Sequence, residues 1–351
     1  MIDKLHIKAF KCFEDEELEF RNLTILTGTN ASGKSSVIQS ILQLALHSNQ
    51  DYSSPLQSYL HFIANFDETV NLNMDVTEYN LSVEGLGTSI TFDFKEGGAF
   101  SIDDYIGNPL LELLSYSKGN LIFLSADRIG PQANYKINVN PLDQFGIYGE
   151  YIIGFLDKAK KSKYLVIDEL VKDPTRKNLD TQVNYWLQHI LDTTIETEKE
   201  GNEVKARFKD GVFSVSPKNI GSGISYLVSI LVVCLSAKKG QLIIIENPEI
   251  HIHPKSQSKL GEFLAFIASN GIQLIIETHN DHIINRFRYE VFEGKLQSDE
   301  VIIHYKEKGS PFEQIEISGN GKFSDKDGEN SFPSGFYDAT LKEIFKINRG
   351  H

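Results

Sequence analysis

The sequence predicts an α/β fold in which a mixed sheet packs against helices and carries an antiparallel β-lobe and an inserted helical lobe. Three observations predict it. A short apolar strand, Leu23 to Thr27, runs into a glycine loop and then a helix whose buried side would hold Val37, Ile38, Ile41, Leu42, Leu44 and Ala45. Between Thr69 and Phe94 the apolar spacing changes to period two, the mark of half-buried antiparallel strands. From Gly223 onward helices and strands alternate, which implies a parallel sheet with helices on its faces. With 40% hydrophobic residues in 351, the chain has material for a real core, and disorder throughout is excluded.

The elements follow in order. Leu5, Ile7 and Ala9 alternate with His6, Lys8 and Phe10, and a second alternation through Leu18 and Phe20 completes an antiparallel pair. The strand, glycine loop and helix come next, the helix spanning Lys34 to His47. Val70, Leu72, Met74 and Val76, then Leu81 and Val83, then Ile90, Phe92 and Phe94 read as a meander broken at Gly85 and Gly87. Leu121 to Leu124 is a core strand. Tyr148 to Leu156, Tyr164 to Val171 and Thr181 to Leu191 read as helices, and a small polar hairpin fills about Thr194 to Val215. The second α/β stretch then brings a helix from Gly223 to Ala237, a strand Leu242 to Ile245, a helix Gln257 to Ala268, a strand Ile272 to Glu277 and a helix from Asp281. Strands near Val301 to His304 and Gln314 to Ile317, a Gly-, Asp- and Asn-rich loop from Ser318 to Asn330, and a final helix complete the chain. The expected organisation is an N-terminal half of the core in 1–135, an inserted helical lobe in 136–218, and the C-terminal half with its tail in 219–351.

Lys and Arg total 35 against 48 Asp and Glu, and a net charge of −13 repels nucleic acid and anionic membrane on average. A DNA or RNA contact would need a local basic patch. The densest run, Lys158-Ala159-Lys160-Lys161-Ser162-Lys163, also suits a solvated helix face. Cys12 and Cys234 form neither a disulfide framework nor a thiolate zinc site, so a reducing cytoplasm is the expected location. The most apolar stretch, Ile224 to Ala237, falls short of the ~20 residues a spanning helix needs. The start also lacks the apolar core of a signal peptide. No membrane partner is expected.

Gly28-Thr29-Asn30-Ala31-Ser32-Gly33-Lys34-Ser35 matches G-x-x-x-x-G-K-[ST] at every fixed position, after a predicted strand and before a predicted helix. Glycines let backbone N–H groups turn onto phosphates, the helix N-terminus adds positive potential, Lys34 reaches the β and γ oxygens, and Ser35 offers its hydroxyl to Mg²⁺. Asn30, Gly33, Lys34, Ser35 and Ser36 are therefore candidate contacts for ATP. Leu242 to Glu249 is a buried strand delivering carboxylates at its C-terminal end, where open α/β sheets place their ligands. Glu246 is placed to hold the magnesium shell with Ser35. His251, His253, His279 and His282 could instead bind zinc or manganese, or pack turns. A second glycine loop, Asn219-Ile220-Gly221-Ser222-Gly223-Ile224-Ser225, precedes an apolar helix and could present another anion site or be a tight turn. If both loops bind phosphate, the simplest arrangement is a two-fold dimer in which each loop completes the other chain's site.

These motifs resemble those of ABC-type ATPases of the SMC and RecF group. They are most similar to the compact prokaryotic AAA-type ATPases akin to the overcoming-lysogenization-defect proteins. Ile7-Lys8-Ala9-Phe10-Lys11 with Phe13 resembles the group's first strand, Gly28 to Ser35 its Walker A, Asn219 to Ser225 its signature loop, Leu242 to Glu249 its Walker B, and Thr278-His279-Asn280 its switch histidine. Glu246 to Pro254, Arg128-Ile129-Gly130-Pro131 and the tail Phe332 to Asp338 resemble the compact subgroup. The resemblance implies an ABC-type P-loop NTPase in which Lys34 and Ser35 bind phosphate and magnesium and Glu246 supports the magnesium water. It also implies that Ser222 and Gly223 touch the γ-phosphate held by the partner subunit, which His279 senses.

One departure matters: Asn247 stands where the group carries the glutamate that polarises water, and an amide cannot accept a proton. Either Glu249 takes over, or hydrolysis is slow and the ATP-bound dimer long-lived. Gln132, near Arg128, is the one glutamine offered for the group's Q-loop. Only 72 residues follow His279, fewer than the nuclease domain fused in the longer relatives would need, so this chain is not expected to cut DNA itself. The implied function is an ATPase that dimerises on ATP and regulates a separate nuclease or effector in phage defence. The alternatives are a slow, ATP-gated clamp or sensor in DNA repair or maintenance, and a metal-dependent hydrolase built on the histidines.

Overall fold

Five apolar runs become the parallel strands of one sheet in the computed structural model, which describes residues 1–48, 55–60, 66–97, 99–139, 144–325 and 332. β3 (Leu23–Gly28) lies between β13 (Gln273–Glu277) and β14 (Val301–Lys306). β12 (Leu242–Glu246) and then β7 (Leu121–Leu124) continue beyond β13, and β15 (Glu313–Ile317) and β16 (Phe323–Ser324) extend the other side antiparallel. The five parallel strands are buried along their whole length, as strands covered on both faces must be.

Alternate residues of these strands feed two cores. Leu23, Ile25, Ile243, Ile245, Leu274 and Ile276 join one with α7 (Gly223–Ser236), α8 (Pro254–Ala268) and α9 (Asp281–Phe292). Helices α5 (Ile152–Ser162) and α6 (Leu179–Leu191) of the inserted segment pack into that same core through Leu156, Val183, Trp186 and Leu187. Leu26, Phe123, Leu242, Ile244 and Ile275 join the other with α1 (Lys34–Ser48), α2 (Pro55–Leu60) and α4 (Pro109–Leu113). That core is closed by an antiparallel sheet ordered β2-β1-β4-β5-β6, built from β1 (Ile2–Phe10), β2 (Phe13–Glu19), β4 (Glu78–Gly85), β5 (Thr88–Lys95) and β6 (Phe100–Asp103). A third sheet joins β8 (Tyr135–Lys136), β9 (Thr194–Glu200), β10 (Glu203–Asp210) and β11 (Phe213–Val215).

Three expectations are corrected. Val70 to Val76 alternates like a strand but makes one isolated bridge, Phe10 to Val70, after the single turn α3 (Phe66–Thr69). Asn71 explains it: its carbonyl accepts from Met74 N–H at 3.1 Å and its side chain from Asn73 N–H at 2.9 Å, a local turn that competes with pairing. Tyr164 to Val171 is not a helix. Lys163 adopts φ 55° and ends α5, Val166 N–H bonds Lys177 O at 3.0 Å, and only Asp168–Leu170 makes a 3₁₀ turn. The polar hairpin at 194–215 is three strands extended by β8. The predicted final helix and tail motif 333–338 lie outside the described residues.

One side chain ties the β-lobe to the central sheet. Gln273, 3% exposed at the start of β13, accepts from Ile2 N–H at 2.8 Å and donates to Ile2 O at 2.7 Å. Gln273→Leu keeps the volume but strands both backbone groups, and we expect a loss of about 2–4 kcal/mol in urea unfolding. A loss below about 0.5 kcal/mol, the range of a neutral surface substitution, contradicts this account.

Candidate nucleotide-binding site

The phosphate-loop motif forms the turn its residue types require. β3 ends at Gly28, and the loop is pinned to the neighbouring strand where Thr29 N–H donates to Lys306 O at 3.0 Å and Lys308 N–H to Thr29 Oγ1 at 3.1 Å. Gly33 has φ 110°, and a Cβ there would stand 2.5 Å from Cys12 Sγ, so both conformation and space demand glycine. Helix α1 then starts with no acidic residue in its first turn, leaving its amide dipoles unopposed. Lys34 is 4% exposed and donates to Thr29 O at 2.6 Å, and burial holds its pKa below the usual lysine range.

These residues line a cavity of about 400 Å³, within the range of small-molecule sites. Its wall runs from Asn30 to Ser36 and includes Lys11 and Cys12 of the β1–β2 turn, Gln39, Glu277 and His279. Lys11 Nζ donates to Gln39 Oε1 at 2.5 Å. The buried Ser32 hydroxyl has no partner. A glycine-bent backbone, an unopposed helix N-terminus, a buried ammonium and an exposed serine hydroxyl fit a nucleotide phosphate chain with a hard cation.

Carboxylates gather where the strands end. Parallel register sets Glu246 beside Glu277, and Glu277 beside Leu26 of β3. Glu277 reaches the loop: Ser35 Oγ donates toward both of its oxygens, each 3.0 Å away. Burial, with Glu246 nearby, pushes the Glu277 pKa up to about 7 against the help of Ser35 and Lys34. Glu246 points elsewhere, its Oε2 accepting from Ala126 N–H at 2.9 Å and Ser125 Oγ at 3.4 Å, and burial raises its pKa too. Glu249 accepts from His279 N–H at 3.3 Å, its Oε2 is buried without a partner, and burial raises its pKa.

Arg128, 3% exposed, clamps this region by donating to the carbonyls of Ser125 (2.9 Å), Glu246 (2.6 Å) and Asn247 (2.7 Å). Burial depresses its pKa to about 10.

Of the predicted site residues, the cavity therefore collects Asn30, Gly33, Lys34, Ser35, Ser36 and His279, and does not collect Glu246, Asn247 or Glu249. His279 has its pKa lowered by burial and by Lys34. Ser222 and Gly223 lie outside this cavity at the start of α7, where Gly223 sits so close to the His251 carbonyl that no Cβ fits. The Ser222 side chain does not cap its own helix. Gln132 is exposed and lies outside the cavity too. His253 caps α8 by accepting from Lys255 N–H, and no group of three or more His, Cys, Asp or Glu could hold a metal among the described residues. No helix there is long and apolar enough to cross a membrane.

Sequence reasoning missed Glu277, Lys11, Cys12 and Gln39. For Glu277 a signal existed: it is the last residue of an apolar run immediately before Thr278-His279-Asn280, and such strand ends face the ligand crevice. Lys11 and Cys12 come from a turn whose approach to the loop no local pattern encodes.

A glycine loop closing over a lysine, at the end of a parallel sheet that brings the Glu277 carboxylate to it, defines an ATPase of the AAA/ABC type. Residues 23–285 match the family described as "AAA domain, putative AbiEii toxin, Type IV TA system", and the chain belongs to that family. It is 21% identical to the OLD nuclease of Thermus scotoductus over 361 aligned positions, which cover 87% of this chain and 64% of that protein. The chain thus spans less than two thirds of that relative. An SMC head bound to the C-winged-helix domain of ScpA matches with a TM-score of 0.61 at 13% identity, covering 90% of this chain and 97% of that one. An SMC head with an extended coiled coil, derived from Pyrococcus furiosus and bound to the C-terminal domain of ScpA, gives 0.55 at 12% identity over 99% of both. The likeness to these heads is one of fold.

The raised pKa of Glu277 sets a pH dependence. Between its ordinary value of 4.5 and about 7, the folded chain keeps a proton that the unfolded chain releases, so stability falls as pH rises through that window. In urea titrations across it we expect Glu277→Gln to flatten the decline by about 1–3 kcal/mol, the order that such a shift corresponds to. Parallel curves for wild type and variant contradict this.

Proposed function

We propose that the cavity binds ATP with Mg²⁺ and that ATP closes two copies of the chain face to face. Ser222 and Gly223 of each copy then meet the γ-phosphate held by the other. Bound magnesium would neutralise charge between the β- and γ-phosphates, with Ser35 among its ligands. The closed dimer regulates a separate nuclease or effector, in keeping with a relative named a nuclease that extends beyond the region matched here, and phage defence is the setting this reading favours.

The observation that carries the dimer is the signature-like loop. Gly221 is exposed, Ser222 leaves its own helix uncapped, and neither lines the cavity that would hold the phosphates. A helix N-terminus so presented suits an anion brought by a partner.

Asn247 favours slow turnover over a fast cycle, the behaviour of an ATP-gated clamp or sensor. Its side chain cannot act as a base, and it adopts φ 41°, a left-handed conformation that asparagine tolerates better than glutamate.

Sedimentation with Mg²⁺ and a non-hydrolysable ATP analogue tests the closure. We expect wild type to dimerise, Lys34→Ala to lose analogue binding, and Ser222→Arg to bind the analogue yet remain monomeric. Wild type that binds the analogue and stays monomeric overturns the dimer, and wild type that binds no nucleotide overturns the whole reading. Rapid turnover abolished by Glu249→Gln would remove the clamp in favour of an efficient enzyme.

A further inference from the structure

We infer that Glu277, rather than the Walker B residue Glu246, is the carboxylate through which this chain holds the divalent cation of its bound nucleotide, side by side with Ser35. This rests on reading the cavity as a Mg²⁺–ATP site and says which residues serve the cation there.

Four observations converge. Glu277 is the acidic side chain that lines the phosphate-loop cavity, and Glu246, Asn247 and Glu249 do not line it. Both Glu277 oxygens lie 3.0 Å from Ser35 Oγ. Adjacent oxygens around octahedral Mg²⁺, with bonds of about 2.0–2.1 Å, are separated by about 2.8–3.0 Å, so the hydrogen-bonded pair is spaced so that a cation could replace the shared proton with little movement.

Glu246 turns one oxygen away from the phosphate loop, its Oε2 accepting from Ala126 N–H and Ser125 Oγ beyond the end of β7. The sheet order explains the difference. β13 is hydrogen-bonded directly to β3, and β12 is one strand farther from the phosphate loop, a step of about 4.8 Å. The Glu277 backbone is also fixed, because its carbonyl accepts from Asn247 N–H at 2.7 Å. One carboxylate, one hydroxyl, phosphate oxygens and waters make a donor set that suits Mg²⁺, which takes few protein ligands and keeps several waters.

The test measures equilibrium binding of a fluorescent ATP analogue by the full chain, in excess Mg²⁺ and in EDTA. Mn²⁺ bound with nucleotide is followed in parallel by electron paramagnetic resonance. We expect Mg²⁺ to tighten wild-type binding at least about tenfold, Glu277→Gln to lose most of that gain while still binding in EDTA, and Glu277→Asp to recover part of it. Thermal melts of each variant show whether the fold is retained. If Glu277→Gln misfolds, the Mn²⁺ spectrum of Glu277→Asp decides: a changed spectrum supports the assignment and a wild-type spectrum overturns it. The assignment is also overturned if Glu277→Gln keeps the full Mg²⁺ effect, or if that effect disappears in Glu246→Gln and survives in Glu277→Gln. Wild type that binds the analogue equally with and without Mg²⁺ overturns it and leaves nucleotide binding standing. Failure of wild type to bind the analogue at all overturns the site itself.

Discussion

The arrangement depends on one constraint: four neighbouring parallel strands, β14, β3, β13 and β12, must end together beneath the first turn of α1. Their backbones are locked at that edge, with Thr278 N–H on Leu26 O, Asn247 N–H on Glu277 O and Thr29 N–H on Lys306 O, at 3.1, 2.7 and 3.0 Å. Glutamates at two strand ends are thereby buried near one another, where each charge is costly and the pKa values rise. Arg128 moderates the cost without a direct ion pair. It donates to three carbonyls, which holds the strand ends in place and leaves the carboxylates available to other partners. An edge so rich in buried acid is stabilised by positive charge, and Lys34 with a cation brought by nucleotide would supply it.

The parallel core was legible in the sequence because its strands are apolar throughout and its helices carry a clear buried side. Leu23 to Thr27, Leu121 to Leu124 and Leu242 to Ile245 are strands within one residue of their predicted ends. Legibility failed where a short polar side chain diverted the backbone or a single residue adopted a left-handed conformation. Asn71 turned an alternating run into a loop, and Lys163 ended a helix that apolar spacing would have resumed at Tyr164. Neither event changes hydrophobic periodicity, so a reading based on periodicity does not register it.

The site was legible to the same degree and for a related reason. A phosphate loop is a local motif, and Asn30 to Ser36 lie where the spacing puts them. The carboxylate that meets Ser35 depends on sheet order, which strand sequences alone do not specify. Leu242 to Glu249 is richer in acids than Gln273 to Glu277, so the sequence alone points to Glu246. The insertion of β13 between β3 and β12 puts Glu277 next to the loop instead.

That order also gives Asn247 a structural role. Its N–H binds the Glu277 carbonyl, its carbonyl accepts from Arg128, and its backbone is held at φ 41°. The residue is therefore the joint between the two acidic strand ends and the arginine that clamps them. A glutamate there would meet a steeper conformational penalty, because left-handed backbone is populated by asparagine several-fold more readily.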